Sequence, residues 1–227
     1  MRSHSPRRGA RSGCGLMAAI GVILLGLVAG LYPWATADPI PRDPTLIPGT
    51  PIPEAIRYVV VPEESNLTLT IDSMIGRVSG GAEMKEGTVE LVREGDGWRV
   101  IANLSMDVST LNVGNDMVNG LIRRTLGADA YPVGVFLARS ETTIPDIEHT
   151  TDTVNLTGEL ELRGVVRPYT FATVLVFEGD RLILDSAAEV DANDFGVTVP
   201  RIVGNGIMDS TMHVMTARED RSAAPSG

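Results

Sequence analysis

Few residues in this chain have the types and spacing for covalent or metal chemistry. The histidines are His4, His149 and His213. They stand far apart, with no i,i+4 pair and no cysteine beside them, so they make no ligand set. The one cysteine, Cys14, allows no intrachain disulfide. No G-x-S-x-G elbow presents a nucleophilic serine. The run Gly76-Arg77-Val78-Ser79-Gly80-Gly81 lacks the lysine of a phosphate loop and reads as a turn. Asp194-Phe195-Gly196 spells a kinase triplet with no other kinase element around it. Glu63-Glu64 reads as a solvated pair in a loop. Asn66, Asn103 and Asn155 each open an N-x-S/T triplet, and each falls on the polar face of a predicted strand. His213 falls in the last predicted strand, where a surface position is expected. The sequence thus names no catalytic residue, no metal ligand and no cofactor.

What the chain has in excess is apolar surface in strict alternation, which strands must position. The clearest case runs from Val154 to Phe177. Val154, Leu156, Gly158, Leu160 and Leu162 point one way, and Asn155, Thr157, Glu159, Glu161 and Arg163 the other. A period of two gives one dry and one wet face. Gly164 breaks the pattern, Arg167-Pro168 predicts an extended or turn shape, and the hairpin is expected to have a longish turn. Tyr169 to Phe177, rich in aromatic, β-branched and Thr residues, returns as the antiparallel partner. Further strands are predicted at Tyr58–Val61, Leu67–Ile71, Thr88–Arg93, Trp98–Met106, Val133–Arg139, Arg181–Val190 and Ile207–Thr216. One stretch departs from this period: Val113, Met117, Val118, Leu121, Ile122 and Leu126 recur at helical spacing, with Asn112 or Asn115 as the cap. The fold class is all-β, about eight antiparallel strands with one short helix. Alternation alone leaves two architectures open. In a sandwich the dry face is filled by a second sheet; in an eight-stranded barrel it surrounds room for one small ligand.

The inward set expected from alternation is Leu67, Leu69, Ile71, Val100, Leu104, Phe136, Leu156, Leu160, Leu162, Leu182, Leu184 and Met212. Aromatics are only 4% of the chain. Any cavity would therefore be lined mainly by Leu, Val, Ile and Met, which suits a flexible aliphatic chain. A tryptophan at Leu104 is expected to fill such an interior and exclude a ligand.

The hairpin Gly158-x-Leu160-x-Leu162-x-Gly164-Val165-x-Arg167-Pro168 resembles a hairpin of the YceI family. So do Tyr58-Val59-Val60-Val61-Pro62-Glu63-Glu64-Ser65 near the start and Asp194-Phe195-Gly196-Val197 near the end. Ser109-Thr110, Asn115-Asp116, Tyr131-Pro132 and Phe136 match a middle block more loosely. The order of the four blocks is also that of the family. Val61 stands where an acid is common, and Asn115 and Ala192 stand where arginines are usual. The resemblance covers about residues 57–217. It implies a lipocalin-like β-barrel outside the cytoplasm that binds a polyisoprenoid or other long-chain lipid without catalysis. It also places Met117, Leu121 and Phe195 near the barrel mouth. A lipid-processing enzyme on the same scaffold would need titratable groups converging at that mouth.

The flanks predict how such a domain is held. Residues 1–15 carry four arginines and no acid; beyond them 15 basic residues face 29 acidic ones, a balance of −14. So acidic a body is repelled by nucleic-acid phosphates. Residues 16–34 read as a transmembrane helix or a signal segment, with the basic flank inside and the domain outside. Ala35-Thr36-Ala37 has the shape of a cleavage site, so secretion or periplasmic release after Ala37 stays open. Residues 35–56 form a linker in which positions 38–56 hold six of the 14 prolines. A stiff spacer of this kind suits a retained single-pass membrane anchor. Residues 218–227 read as a disordered tail. Nothing in the sequence bears on the oligomeric state.

Overall fold

The computed structural model describes residues 55–74, 76–147, 151–199 and 204–219. The predicted basic tail, membrane or signal segment and nearly all of the linker lie outside the described residues. So do most of the C-terminal tail, Cys14, His4 and His149. Among the described residues no helix is long and apolar enough to cross a membrane.

Alternating apolar positions give the strands, and helical spacing the helix, in the order β1 (Ile56–Val60), β2 (Asn66–Ser73), β3 (Gly76–Glu94), β4 (Gly97–Asn112), α1 (Asp116–Leu126), β5 (Val133–Ser140), β6 (Thr151–Leu162), β7 (Val165–Glu178), β8 (Arg181–Asp191) and β9 (Ile207–Arg218). Every pairing is antiparallel, and β3 pairs with β4 to close the sheet on itself. Both β1 and β2 pair with β3 on one side and β9 on the other, so the nine segments fill eight positions around a barrel. Closure removes the sandwich alternative, because among the described residues there is no second sheet to fill the dry face.

The two ends of the barrel differ. At one end Ile144, from the segment after β5, is fully buried and exchanges backbone hydrogen bonds with Trp98 at 2.8 and 2.9 Å. At the other end sit α1, the β6–β7 turn and a short 3₁₀ helix at Ala192–Phe195. The helix starts where the sequence allows. The Asn115 side chain accepts hydrogen bonds from the backbone N–H groups of Met117 and Val118, and Gly127 ends it in the left-handed conformation.

Two expectations are corrected here, and the extended alternative at Arg167-Pro168 is the one adopted. Gly76 to Gly81 is not a turn but the first third of β3, laddered against β2. A Cβ at Gly80 would come within 2.5 Å of the Val113 side chain, so glycine is there for close approach rather than bending. The hairpin turn is short: Leu162 pairs directly with Val165, and Arg163 and Gly164 both have positive φ, 54° and 71°. That is a two-residue turn whose twist matches the strands. Pro168 lies inside β7, opposite Glu159. The β7–β8 ladder begins only at Ala172, so a missing N–H at 168 breaks no pairing on that side.

Candidate functional site

The interior divides into two halves along the barrel axis. Toward the end plugged by Ile144, the inward side chains of β3, β4, β6, β8 and β9 meet and leave no space. Val89, Leu91, Val100, Leu104, Leu156, Leu182, Leu184 and Val214 are all fully buried there. Toward the α1 end these strands, with β2, β5, β7 and α1, surround a cavity of about 130 Å³. Between the halves lie Phe136 of β5 and Phe171 of β7. Both are buried, both line the cavity, and their ring centroids are 4.7 Å apart at 55°. This tilted pair is the cavity floor, in the arrangement aromatic rings prefer.

Of the twelve residues expected inside, Leu67, Leu69, Ile71, Phe136, Leu160, Leu162 and Met212 line the cavity. Val100, Leu104, Leu156, Leu182 and Leu184 also face inward but belong to the packed half. Leu104 is therefore the wrong place for a blocking tryptophan. It has no free space beside it, and overpacking there would strain the fold before it displaced any ligand. Of the three residues expected at the mouth, Leu121 lines the cavity while 37% exposed. Met117 is 80% exposed and outside the lining. The helix turns its Leu121, Ile122, Thr125 and Leu126 face to the cavity, while Met117 sits in the first turn, one turn before Leu121. Phe195 is buried but does not line the cavity; it stacks on Tyr169 with centroids 5.8 Å apart. It covers the part of β7 that has no β8 partner.

Sequence reasoning missed the upper end of β4, where Val108 and Leu111 line the cavity, and Val197 after the 3₁₀ helix. The alternation signal fails in β4 because Leu104, Ser105 and Met106 are buried in succession. A register shift between β3 and β4 falls there, and the Ser105 hydroxyl donates to the Glu86 carbonyl at 2.8 Å.

The polar groups near this end serve the frame. The Arg163 guanidinium donates to the Gly196 carbonyl at 2.6 Å, tying the β6–β7 turn to the loop after the 3₁₀ helix. The Tyr169 hydroxyl donates to Asp194 at 2.9 Å and accepts from the Asp191 N–H at 2.9 Å. Burial is the main cause that pushes this phenol up to about 12, so it stays a donor at any physiological pH. Among the described residues that line the cavity, none is titratable. The lining hydroxyls are those of Thr70, Thr125 and Ser210. The Thr125 hydroxyl donates to the Leu121 carbonyl, and Thr70 is hydrogen-bonded to Ser79. His213 lies on the outer face, its Nδ1 2.6 Å from Asp185. No group of three or more His, Cys, Asp or Glu side chains able to hold a metal occurs among the described residues.

The two positions that depart from the family pattern have local roles. Asn115 is the cap of α1, and Ala192 is part of the apolar wall. A methyl group thus occupies the wall where the resemblance places a cation.

A closed antiparallel barrel around an apolar, one-ended cavity is the class of protein that this fold and site define. Within that class the chain belongs to the YceI-like domain family, whose model matches residues 58–215. The fold is similar to that of BcnA from Burkholderia cenocepacia, at 16% identity and a TM-score of 0.55, over 69% of this chain and 98% of that one. It is equally similar to a polyisoprenoid binding domain from Saccharophagus degradans implicated in plant cell wall breakdown. That match has 13% identity and a TM-score of 0.55, over 72% of this chain and 99% of that one. No curated protein matches the sequence.

Proposed function

We propose that the barrel binds and shields the apolar chain of a polyisoprenoid or other long-chain lipid, making and breaking no bond. The observation that carries this is the lining: aliphatic and aromatic side chains, with no titratable group among the described ones. Burial of hydrocarbon, at about 0.8 kcal/mol per CH₂, is the only large interaction such a wall offers. The enzyme alternative needs converging acids, bases or nucleophiles at the cavity, and the described lining has none to offer. That the Saccharophagus degradans domain of the same fold is a polyisoprenoid binding domain supports the reading.

Recognition by such a wall reads the chain and ignores the head. Farnesol, farnesyl methyl ether and farnesyl phosphate are expected to bind the purified full chain within about fivefold of one another, measured by native mass spectrometry. Raising salt from about 0.05 M to 0.5 M should change the affinity of the neutral ligands little, because burial is not screened. Affinity set by the phosphate and lost in salt would place binding on the charged surface and defeat the proposal.

The same reading puts the domain outside the cytoplasm, held by residues 16–34 and spaced by the proline-rich linker. Protease added outside the cytoplasmic membrane should degrade the domain and spare the basic tail. A protected domain would refute this topology, and mature protein beginning at Asp38 would show a cleaved signal in place of an anchor.

A further inference from the structure

We infer that the barrel takes only the end of an isoprenoid chain, about one to two units deep, because the Phe136–Phe171 pair closes it halfway. This rests on the lipid-binding reading and adds a depth limit to it.

Three observations carry it. The cavity volume is about 130 Å³. A dry cavity of about 150 Å³ lined by similar residues holds one benzene-sized guest, so the space here suits about one five-carbon unit below the rim. The floor is made of two rings already in mutual contact at 4.7 Å, so it is a packed layer and not a single side chain free to swing aside. Leu104 and Leu156, the cross-strand partners of Phe136 and Phe171, are fully buried, as are Leu182 and Leu184, and none of the four borders the cavity. A chain that went deeper would have to displace both rings and the core beneath them.

The rim shows where the rest of a longer chain would lie. Met74, Met117, Leu121, Tyr131 and Ile207 are all exposed; Leu121 and Met117 are on α1, and the others sit on turns or strand ends at the same end of the barrel. Carbons beyond the second unit would meet this open apolar rim, where burial is partial and each adds little.

The test uses prenol, geraniol, farnesol and geranylgeraniol, which share one head and contain one to four isoprene units. Their affinities for the purified full chain are compared by native mass spectrometry. Affinity is expected to rise about tenfold or more from the first to the second and to change by less than about threefold thereafter. Phe171→Leu and Phe136→Leu each remove part of the floor while keeping it apolar, and either one that folds should move the plateau out by about one unit. Leu182→Ala, in the packed half, should lower stability but leave the plateau where it is. A steady rise through geranylgeraniol, or a plateau unmoved in folded floor variants, would overturn the depth limit and leave lipid binding standing. If none of the four alcohols binds, the lipid reading itself falls, and the depth limit with it.

Discussion

Replacing Leu156 with aspartate should unfold the barrel or remove most of its stability. Leu156 is fully buried in the packed half, opposite Phe171 on one neighbouring strand and Ser140 on the other. A carboxylate there has no cation as a cross-strand neighbour. An uncompensated buried charge costs several kcal/mol, against a total of about 5–15 kcal/mol for a domain. The same substitution at Leu160, also buried, is a poorer test. Its cross-strand partner is Arg167, and partners on paired strands share a face, so the new acid would have a cation within reach. On the wet face, Thr153→Lys and Asn155→Lys should each change stability by less than about 0.5 kcal/mol, because both positions are exposed. Urea unfolding midpoints compare the classes. Equal tolerance would mean that β6 is out of register by one residue, which would swap its two faces.

Gly158→Ala is expected to cost about 3 kcal/mol or more, an outsized effect for one methyl group. Gly158 lies on β6 between Ala138 of β5 and Tyr169 of β7. A Cβ at this position would sit inside the van der Waals envelope of the Leu137 carbonyl oxygen and 2.5 Å from the Ala138 Cα. These are backbone atoms of the neighbouring strand, so no side-chain rotation relieves the clash. The β5–β6 ladder would have to part locally, losing hydrogen bonds in the wall that carries Phe136 and Leu160. Thermal melting of the variant, with Gly120→Ala as the control, separates this from a general effect. Gly120 is on α1, nothing lies within 4 Å of its added Cβ, and alanine is the better helix former. A Gly158 variant as stable as the control would show that the strands are not pressed together here.

The sequence alone determined which residues face inward. Period-two alternation is imposed by strand geometry, so it is legible residue by residue, and the twelve expected interior residues all fall on the dry face. It also determined the helix, which rests on spacing, and narrowed its cap to Asn112 or Asn115, of which the structure uses Asn115. The family was legible too, carried by four blocks in order.

Tertiary structure decided how much room the dry face encloses. Alternation says which side of a sheet a residue is on, but not what meets it from the opposite wall. Phe136 and Phe171 are 35 residues apart and on strands separated by a third, yet their contact sets the floor. It is the pairing of β5 and β7 on either side of β6 that brings them to one face. Five of the twelve interior residues became packed core and not ligand wall for the same reason. Glycines hid the rest. Gly80 and Gly158 carry no side chain to mark a face, and a glycine required by a neighbour's approach looks the same in sequence as one required by a turn. The long β3, the tight Arg163-Gly164 turn and the shallow cavity all follow from which backbones come close, and that is settled only by the pairing of the strands.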